Sequence, residues 1–409
     1  MKYLLIIGDG MADNPIPELG NLTPLQKAHI PAIDRMAARG IVGSTVNCPP
    51  SLPAGSETAI LSILGCDPRR YFTGRSPMEA AAAGIALRPG DCAFRCNLVT
   101  FEDGEQPLEE KRILSHSAGS IDGPTALETV DALLDNPRFS AALAEARMEL
   151  YPFPAFRQLA VRHECNLAGV RFTPPHDHLG ECCGPLFPAG GEKAALYIRL
   201  MRLAHEILDC HPVTKKRRAS GKLPANGIWF WAEGTAVQLP SFRAQYGCSG
   251  AVVSAVPLCH GIGLLRGLEM VEVEGATGEL DTNFQGKLEA AWEKLQEYDF
   301  VCLHLEAPDE CTHNGDLAGK LQAIEWLDSR LVSPLAERLG AAGLDYRALL
   351  LSDHKTLTAT RGHDGGPVPF LLYDSRRDTG RGGVYGEAAA EAGPFVENGY
   401  TLLDMLFER

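Results

Sequence analysis

Three apolar runs, far apart in the chain, each end in an acid or an imidazole, and this repetition restricts the fold more than any other feature. The richest lies at 347–370, RALLLSDHKTLTATRGHDGGPVPF, where the run 348–351 is followed by Asp353 and His354. A short apolar run of this kind reads as a buried strand, so the acid and imidazole emerge at its carboxyl end. Open α/β sheets bind ligands at that edge. His363 and the turn signal Gly365-Gly366-Pro367 come next, so a loop can fold His363 back over the strand end. The run 3–8, YLLIIG, ends in Asp9, and the run 300–305, FVCLHL, is followed by Glu306, Asp309 and His313. Any one of these sets reads equally well as ordinary turn residues. Three together predict neighbouring strands in a largely parallel sheet and one shared site at its edge.

Composition narrows the partners. The 409 residues carry a formal net charge of -14, which argues against a nucleic-acid partner, because phosphate-backbone binding needs a basic surface. It leaves room for a small anionic substrate. The basic run Lys215-Lys216-Arg217-Arg218 reads as a solvated helix end. The 12 cysteines are scattered, with no CxxC pair, so they read as reduced thiols rather than a zinc knuckle or a disulfide framework. The apolar run after Lys2 is too short for a membrane span or a signal peptide. A cytoplasmic protein with no membrane contact is therefore expected, while oligomeric state is not legible.

A second stretch bears chemistry. In 53–68, PAGSETAILSILGCDP, Ser56 follows Gly55 and opens a segment of helical character. Serine stands at such a place for two different reasons. It caps the helix by accepting an amide hydrogen bond, or it is a nucleophile whose phosphate the helix N-terminus stabilises. The second role needs a divalent cation to activate the hydroxyl. Helices are also predicted at 31–40, 123–134, 192–208, 285–297, 324–339 and 399–407, and a strand at 41–46. Between residues 69 and 246 the texture changes to shorter aromatic and basic motifs, predicting an inserted α/β domain at 69–246 and a discontinuous first domain at 1–68 and 247–409.

Taken together, Asp9, Ser56, Asp309 with His313, Asp353-His354 and His363 resemble, in order and local context, the alkaline phosphatase superfamily. More closely, the chain resembles the archaeal-type cofactor-independent phosphoglycerate mutases and a related group proposed to act as homoserine kinases. The motifs run nearly end to end: KYLLIIGDGMAD, GSETAILSILGCDP, YFTGRSPMEAAAAGI, GATGELDTN, HLEAPDECTHNGD, LLLSDH and GHDGGPVPF. The resemblance implies an alkaline-phosphatase-like α/β domain, its largely parallel central sheet flanked by helices, with two divalent ions. Asp309, His313 and His363 would hold one ion, and Asp9, Asp353, His354 and the Ser56 hydroxyl the other. Mixed imidazole and carboxylate ligands make manganese the first choice, with zinc or magnesium as alternatives.

A mutase of this kind moves the phosphoryl group of 3-phosphoglycerate to Ser56 and returns it to the other hydroxyl, without 2,3-bisphosphoglycerate. A small phosphorylated hydroxy acid needs forked cationic partners. Arg75 and Arg95 are the candidates in the inserted domain, with Asn97, His176 and Asp177 lining the same cleft. Some positions depart from the mutase pattern. Ile60 stands where a polar residue is expected, His260 where a Lys-Gly-Ile-Gly run is usual, and FRCNLVT, SHSAGSI and the aromatic run 229–231 are closer to the homoserine-kinase group. The alternative is thus a related phosphotransferase acting on a small hydroxy acid such as homoserine.

Overall fold

A computed structural model describes residues 1–380 and 383–408. The chain forms two compact units, one of residues 1–72 with 238–409, the other of residues 73–237.

The first unit is built on an eight-stranded sheet. At its centre the strand Lys2–Gly8 lies between Phe300–Leu305 and Tyr346–Leu351, parallel to both. The three apolar runs are thus immediate neighbours in register, Ile6 lying opposite both Leu303 and Leu350. Such runs are apolar on both faces because helices cover both sides of a parallel sheet. Leu4 and Ile6 pack in the same buried cluster as Leu295 of the helix Phe284–Glu297 and Leu335 of the helix Ser333–Ala341. Gly250–Val253 continues the parallel order beyond Phe300–Leu305. On the other side Val368–Asp374 runs antiparallel to Tyr346–Leu351 and pairs in turn with Ile41–Thr45.

Two predicted boundaries shift. The helix expected at 324–339 is three consecutive pieces, Leu317–Trp326, a π-helical turn Leu327–Val332, and Ser333–Ala341. The wider turn lies just before Pro334, which has no N–H to continue an α-helical ladder. Residues 69–72 and 238–246, assigned from sequence to the insert, belong to the first unit. The reason for the second is packing: Phe242 lies 4.5 Å from Phe300 between ring centroids, and Tyr246 stacks on Phe407 at 4.7 Å.

The second unit has a five-stranded antiparallel sheet organised around the long strand Cys92–Phe101. One edge of that strand pairs with Gly227–Thr235, the other with Arg157–Arg162 and then Ile113–Ser115. Phe94, Cys96 and Leu98 enter the core beneath the helices Gly123–Leu134 and Glu192–Cys210. The alternation inherent in a strand puts Arg95 and Asn97 on the opposite face. Among the described residues, no helix is long and apolar enough to cross a membrane.

Candidate metal and nucleophile site

Asp9 and Asp353 follow adjacent strands, and both are fully buried. Asp309 lies in the first turn of the helix Ala307–His313, whose last residue His313 returns to the same point one turn later. The hairpin of Lys355–Leu357 with Gly362–Asp364 folds back and carries His363 over the strand ends. Gly10 makes this closeness possible. Its φ is +60°, and a Cβ there would lie 2.5 Å from Thr356 Oγ1 and 2.6 Å from Asp309 Oδ1. Its N–H donates to Asp353 Oδ1 at 3.0 Å.

Two sets of ligand atoms, each within 4.8 Å of one another, result: Asp309, His313 and His363, and Asp9, Asp309 and His354. Asp309 stands in both. His313 Nε2 is 3.1 Å from Asp309 Oδ2 and 2.9 Å from His363 Nε2, and the rings of His354 and His363 lie 4.1 Å apart. Asp353 Oδ2 approaches His354 Nε2 to 3.1 Å. All seven residues singled out for metal chemistry are therefore brought together, counting Ser56, whose Oγ is 3.2 Å from His354 Nε2.

The placement of Ser56 distinguishes its two readings. The helix Ser56–Ile63 has Gly55, which carries no side chain to cap with, at its N-cap. Ser56 is the first helical residue, and its hydroxyl is turned to His354 instead of capping.

The electrostatics ask for a cation. Burial, then the charges of Asp353, Asp309 and Glu306, push the Asp9 carboxyl well above the usual range. Asp9 Oδ1 and Asp353 Oδ2 are buried without a hydrogen-bond partner, a costly state for carboxylate oxygens. Hydrogen bonding to Asp309 holds His313 up at about 9. His363 is also raised, the hydrogen bond and charge of Asp309 outweighing burial. Acids and imidazoles that share protons in this way are a donor set that a divalent ion would satisfy directly, so the residues present fit such an ion.

Sequence reasoning passed over His304, which ends fully buried with Nε2 2.9 Å from Asp9 Oδ2. Its Nδ1 is 3.0 Å from Ser254 Oγ, and its carbonyl accepts from the buried Lys287 Nζ at 3.0 Å. Burial, then the charges of Lys287 and His260, drive His304 down to about 3. It is thus a neutral ring, and the network assigns its Nε2–H to Asp9 with the Ser254 hydroxyl donating to Nδ1. The available signal was a histidine inside an otherwise apolar strand. Thr356 was also missed; its hydroxyl donates to Asp309 Oδ1.

In the second unit, Arg95 and Arg75 both bind Glu79 of the helix Ser76–Ala82, Arg95 through Nε at 2.8 Å and Arg75 through Nε at 3.0 Å. Burial raises the Glu79 carboxyl, but Arg95, then Arg75 and Arg157, outweigh it and leave it below the usual range. Arg157, which the sequence did not single out, is pushed down to about 10 by burial and by the neighbouring Arg95. Asn97 accepts from Trp231 Nε1 at 2.9 Å and donates to the His116 carbonyl at 2.8 Å. All three residues of the aromatic run 229–231 are buried in the core of this unit, and the Trp231 ring also lies 4.8 Å from the Arg95 guanidinium and 4.9 Å from the His176 ring. Asp177 is exposed, its carboxylate 3.6 Å from His176 Nε2. Of the departures from the mutase pattern, Ile60 is fully buried and His260 is buried within reach of the charge of Lys287.

Residues 37–214 match the family described as 2,3-bisphosphoglycerate-independent phosphoglycerate mutase. A probable 2,3-bisphosphoglycerate-independent phosphoglycerate mutase of Geobacter sulfurreducens is 40% identical over 412 residues, covering 100% of both chains. The 2,3-bisphosphoglycerate-independent phosphoglycerate mutase of Methanosarcina barkeri is 42% identical over 96% of both. Among solved structures, a protein from Pyrococcus horikoshii superposes with TM-score 0.79 at 30% identity, over 100% of this chain and 96% of that one. The cofactor-independent phosphoglycerate mutase of Thermoplasma acidophilum gives 0.68 at 27% identity, over 100% and 99%. With relatives at this identity along its whole length, the chain belongs to the 2,3-bisphosphoglycerate-independent phosphoglycerate mutase family.

Proposed function

We propose that this protein interconverts 3-phosphoglycerate and 2-phosphoglycerate, with Ser56 carrying the phosphoryl group between the two hydroxyls and no 2,3-bisphosphoglycerate required. The observation that carries the proposal is the Ser56 hydroxyl, which caps nothing and faces His354 inside the acid and imidazole cluster. Asp309, His313 and His363 would hold one divalent ion and Asp9, Asp353, His354 and Ser56 Oγ the other, manganese being the first choice. Such ions lower the pKa of a coordinated hydroxyl and neutralise charge on a transferring phosphoryl group.

The chain's own residues supply the rest. Ser56 Oγ attacks phosphorus as the bond to the substrate oxygen breaks, and the amides at the start of its helix favour the phosphoserine that forms. His304 fixes the orientation of Asp9 through Nε2, and Thr356 does the same for Asp309. Arg75, Arg95 and Asn97, with His176 and Asp177 nearby and Arg157 added by the geometry, would hold the glycerate while it reorients. Glu79 keeps Arg75 and Arg95 in place. On this reading the first unit is the metal-binding domain and the second the substrate-binding one. Twelve free thiols support a reducing compartment, the cytoplasm, and the acidic net charge supports a small-molecule partner rather than nucleic acid.

The test is an assay of manganese-reconstituted protein with 3-phosphoglycerate as sole phosphate source. Formation of 2-phosphoglycerate is expected. Absolute dependence on added 2,3-bisphosphoglycerate, or activity confined to homoserine with ATP, would contradict the reading.

A further inference from the structure

Lys320 and Asp13 stand outside the acid and imidazole cluster, and their side chains are 0% and 3% exposed. Lys320 belongs to the helix Leu317–Trp326, which follows the helix carrying Asp309 and His313 after the turn 314–316. Asp13 belongs to the loop that continues from Asp9. Lys320 Nζ donates to Asp13 Oδ2 at 3.0 Å and to the Thr356 carbonyl at 2.7 Å. The same carboxylate oxygen accepts from the Thr358 amide at 3.0 Å and from the Thr358 hydroxyl at 2.7 Å. Thr356 lies directly opposite His363 in the hairpin, and its amide donates to the Ala12 carbonyl at 3.1 Å.

We infer that Lys320 and Asp13 are positioning residues for the ion that Asp309, His313 and His363 would hold, clamping the hairpin that carries His363 to the helices that present the other two ligands. The inference rests on the two-ion reading proposed above. One ammonium group joins three separate segments: its own helix next to that of Asp309 and His313, the loop after Asp9, and the first strand of the hairpin. The residue whose carbonyl it holds also directs a ligand, because the Thr356 hydroxyl donates to Asp309 Oδ1. Ligand orientation by such outer contacts governs metal affinity.

Stability alone is a poor reason for such a pair, since a buried ion pair is often no more stabilising than apolar side chains of similar volume. What this pair adds is direction. Asp13 is not itself placed as an ion ligand: its Oδ2 accepts three hydrogen bonds and its Oδ1 accepts from the Asn14 amide at 2.7 Å. Asp9 Oδ1 and Asp353 Oδ2, by contrast, are buried without a hydrogen-bond partner. The other ion site has its own supports. Asn47 Nδ2 donates to the carbonyls of Ser352 and Asp353 at 3.2 Å and 2.8 Å, and the Ser352 hydroxyl donates to the His354 carbonyl at 2.7 Å. Loss of the Lys320 clamp therefore loosens the hairpin and His363 while Asp353 and His354 stay anchored.

The experiment titrates metal-free, full-length protein with manganese by calorimetry and follows hydrogen exchange of the segment 355–364 before metal is added. Lys320→Met is expected to bind one ion at wild-type affinity and the other roughly 10–100-fold more weakly, with faster exchange across the hairpin. Thr358→Val, a milder change that carries the test if Lys320→Met does not fold, is expected to shift both readouts the same way, and Thr358→Ser to restore them. Asp328→Ala, which removes a buried carboxylate from the π-helical turn without touching the hairpin, controls for general destabilisation. Equal weakening of both ions in Lys320→Met, matching Asp328→Ala, would overturn the inference, as would wild-type binding and exchange in both Lys320→Met and Thr358→Val. Selective loss of one ion in a protein that fails to interconvert phosphoglycerates would uphold the positioning role and overturn only the proposed reaction; an active wild type whose variants bind both ions normally would do the reverse.

Discussion

Because Gly55, not Ser56, occupies the cap of the helix Ser56–Ile63, replacing Ser56 by alanine removes no capping bond. Ser56→Ala should therefore change unfolding free energy by no more than about 0.5 kcal/mol, yet lower turnover by roughly three or more orders of magnitude. Denaturant titration and steady-state assay of the same preparation check both halves. Lys287 gives a second prediction with a definite sign. Burial brings its ammonium down from 10.5 to about 8 in the folded protein, so between those values the unfolded chain binds a proton that the folded chain has lost. Its contribution is most unfavourable below about pH 8 and relaxes as pH rises toward about 10.5. Urea unfolding across that range should show stability rising more steeply in the wild type than in Lys287→Met, and equal slopes would contradict the assignment. Individual residues were legible in the sequence where a polar group ended an apolar run, as at Asp9, Asp309 and Asp353. His304 and Lys287 were not, because one sits within a strand and the other on a helix, and only the packing of the first unit shows that their faces turn inward.

Elements show a different division between sequence and fold. Strand periodicity located the three central strands closely, since buried parallel strands have no polar alternation to confuse them. The helix at 324–339 was read as continuous because Pro334 and the π-helical turn before it leave the apolar spacing intact. That turn has a task the spacing does not reveal. Asp328, buried within it, accepts from the Ile33 amide at 2.7 Å and the Ala32 amide at 3.2 Å, at the first turn of the helix Pro31–Ala37. These are amides that a helix cannot satisfy itself. Asp328→Ala should thus destabilise the first unit by about 2–4 kcal/mol, measurable by denaturant unfolding, with Asp328→Asn intermediate; a loss under about 0.5 kcal/mol would show that the amides find other partners. In the insert, the alternation of Arg95 and Asn97 with Phe94, Cys96 and Leu98 was visible in FRCNLVT. The clasp on Glu79 was not, because it joins a helix to a strand through charges that give no local pattern. The insert boundary was misplaced for a related reason: Phe242 and Tyr246 resemble the insert's aromatic texture but pack on Phe300 and Phe407.

At the scale of the whole molecule, a strongly acidic chain places three buried carboxylates, Asp9, Asp309 and Asp353, at one sheet edge. Divalent ions that bind there would be linked to both stability and activity. Chelation should abolish turnover and lower the unfolding temperature, manganese should restore both, and His313→Ala should reduce bound metal in elemental analysis; full activity in metal-free protein would rule the arrangement out. The same edge brings Ser56 to the cluster, and the central claim is that this serine carries the phosphoryl group. It is tested most directly by mixing manganese-loaded protein with 3-phosphoglycerate labelled in its phosphate, quenching in acid, and sequencing the labelled peptide. The label is expected on Ser56 and not on its neighbours Ser51 and Ser62, whereas label on another residue, or turnover by Ser56→Ala at the wild-type rate, would contradict the account.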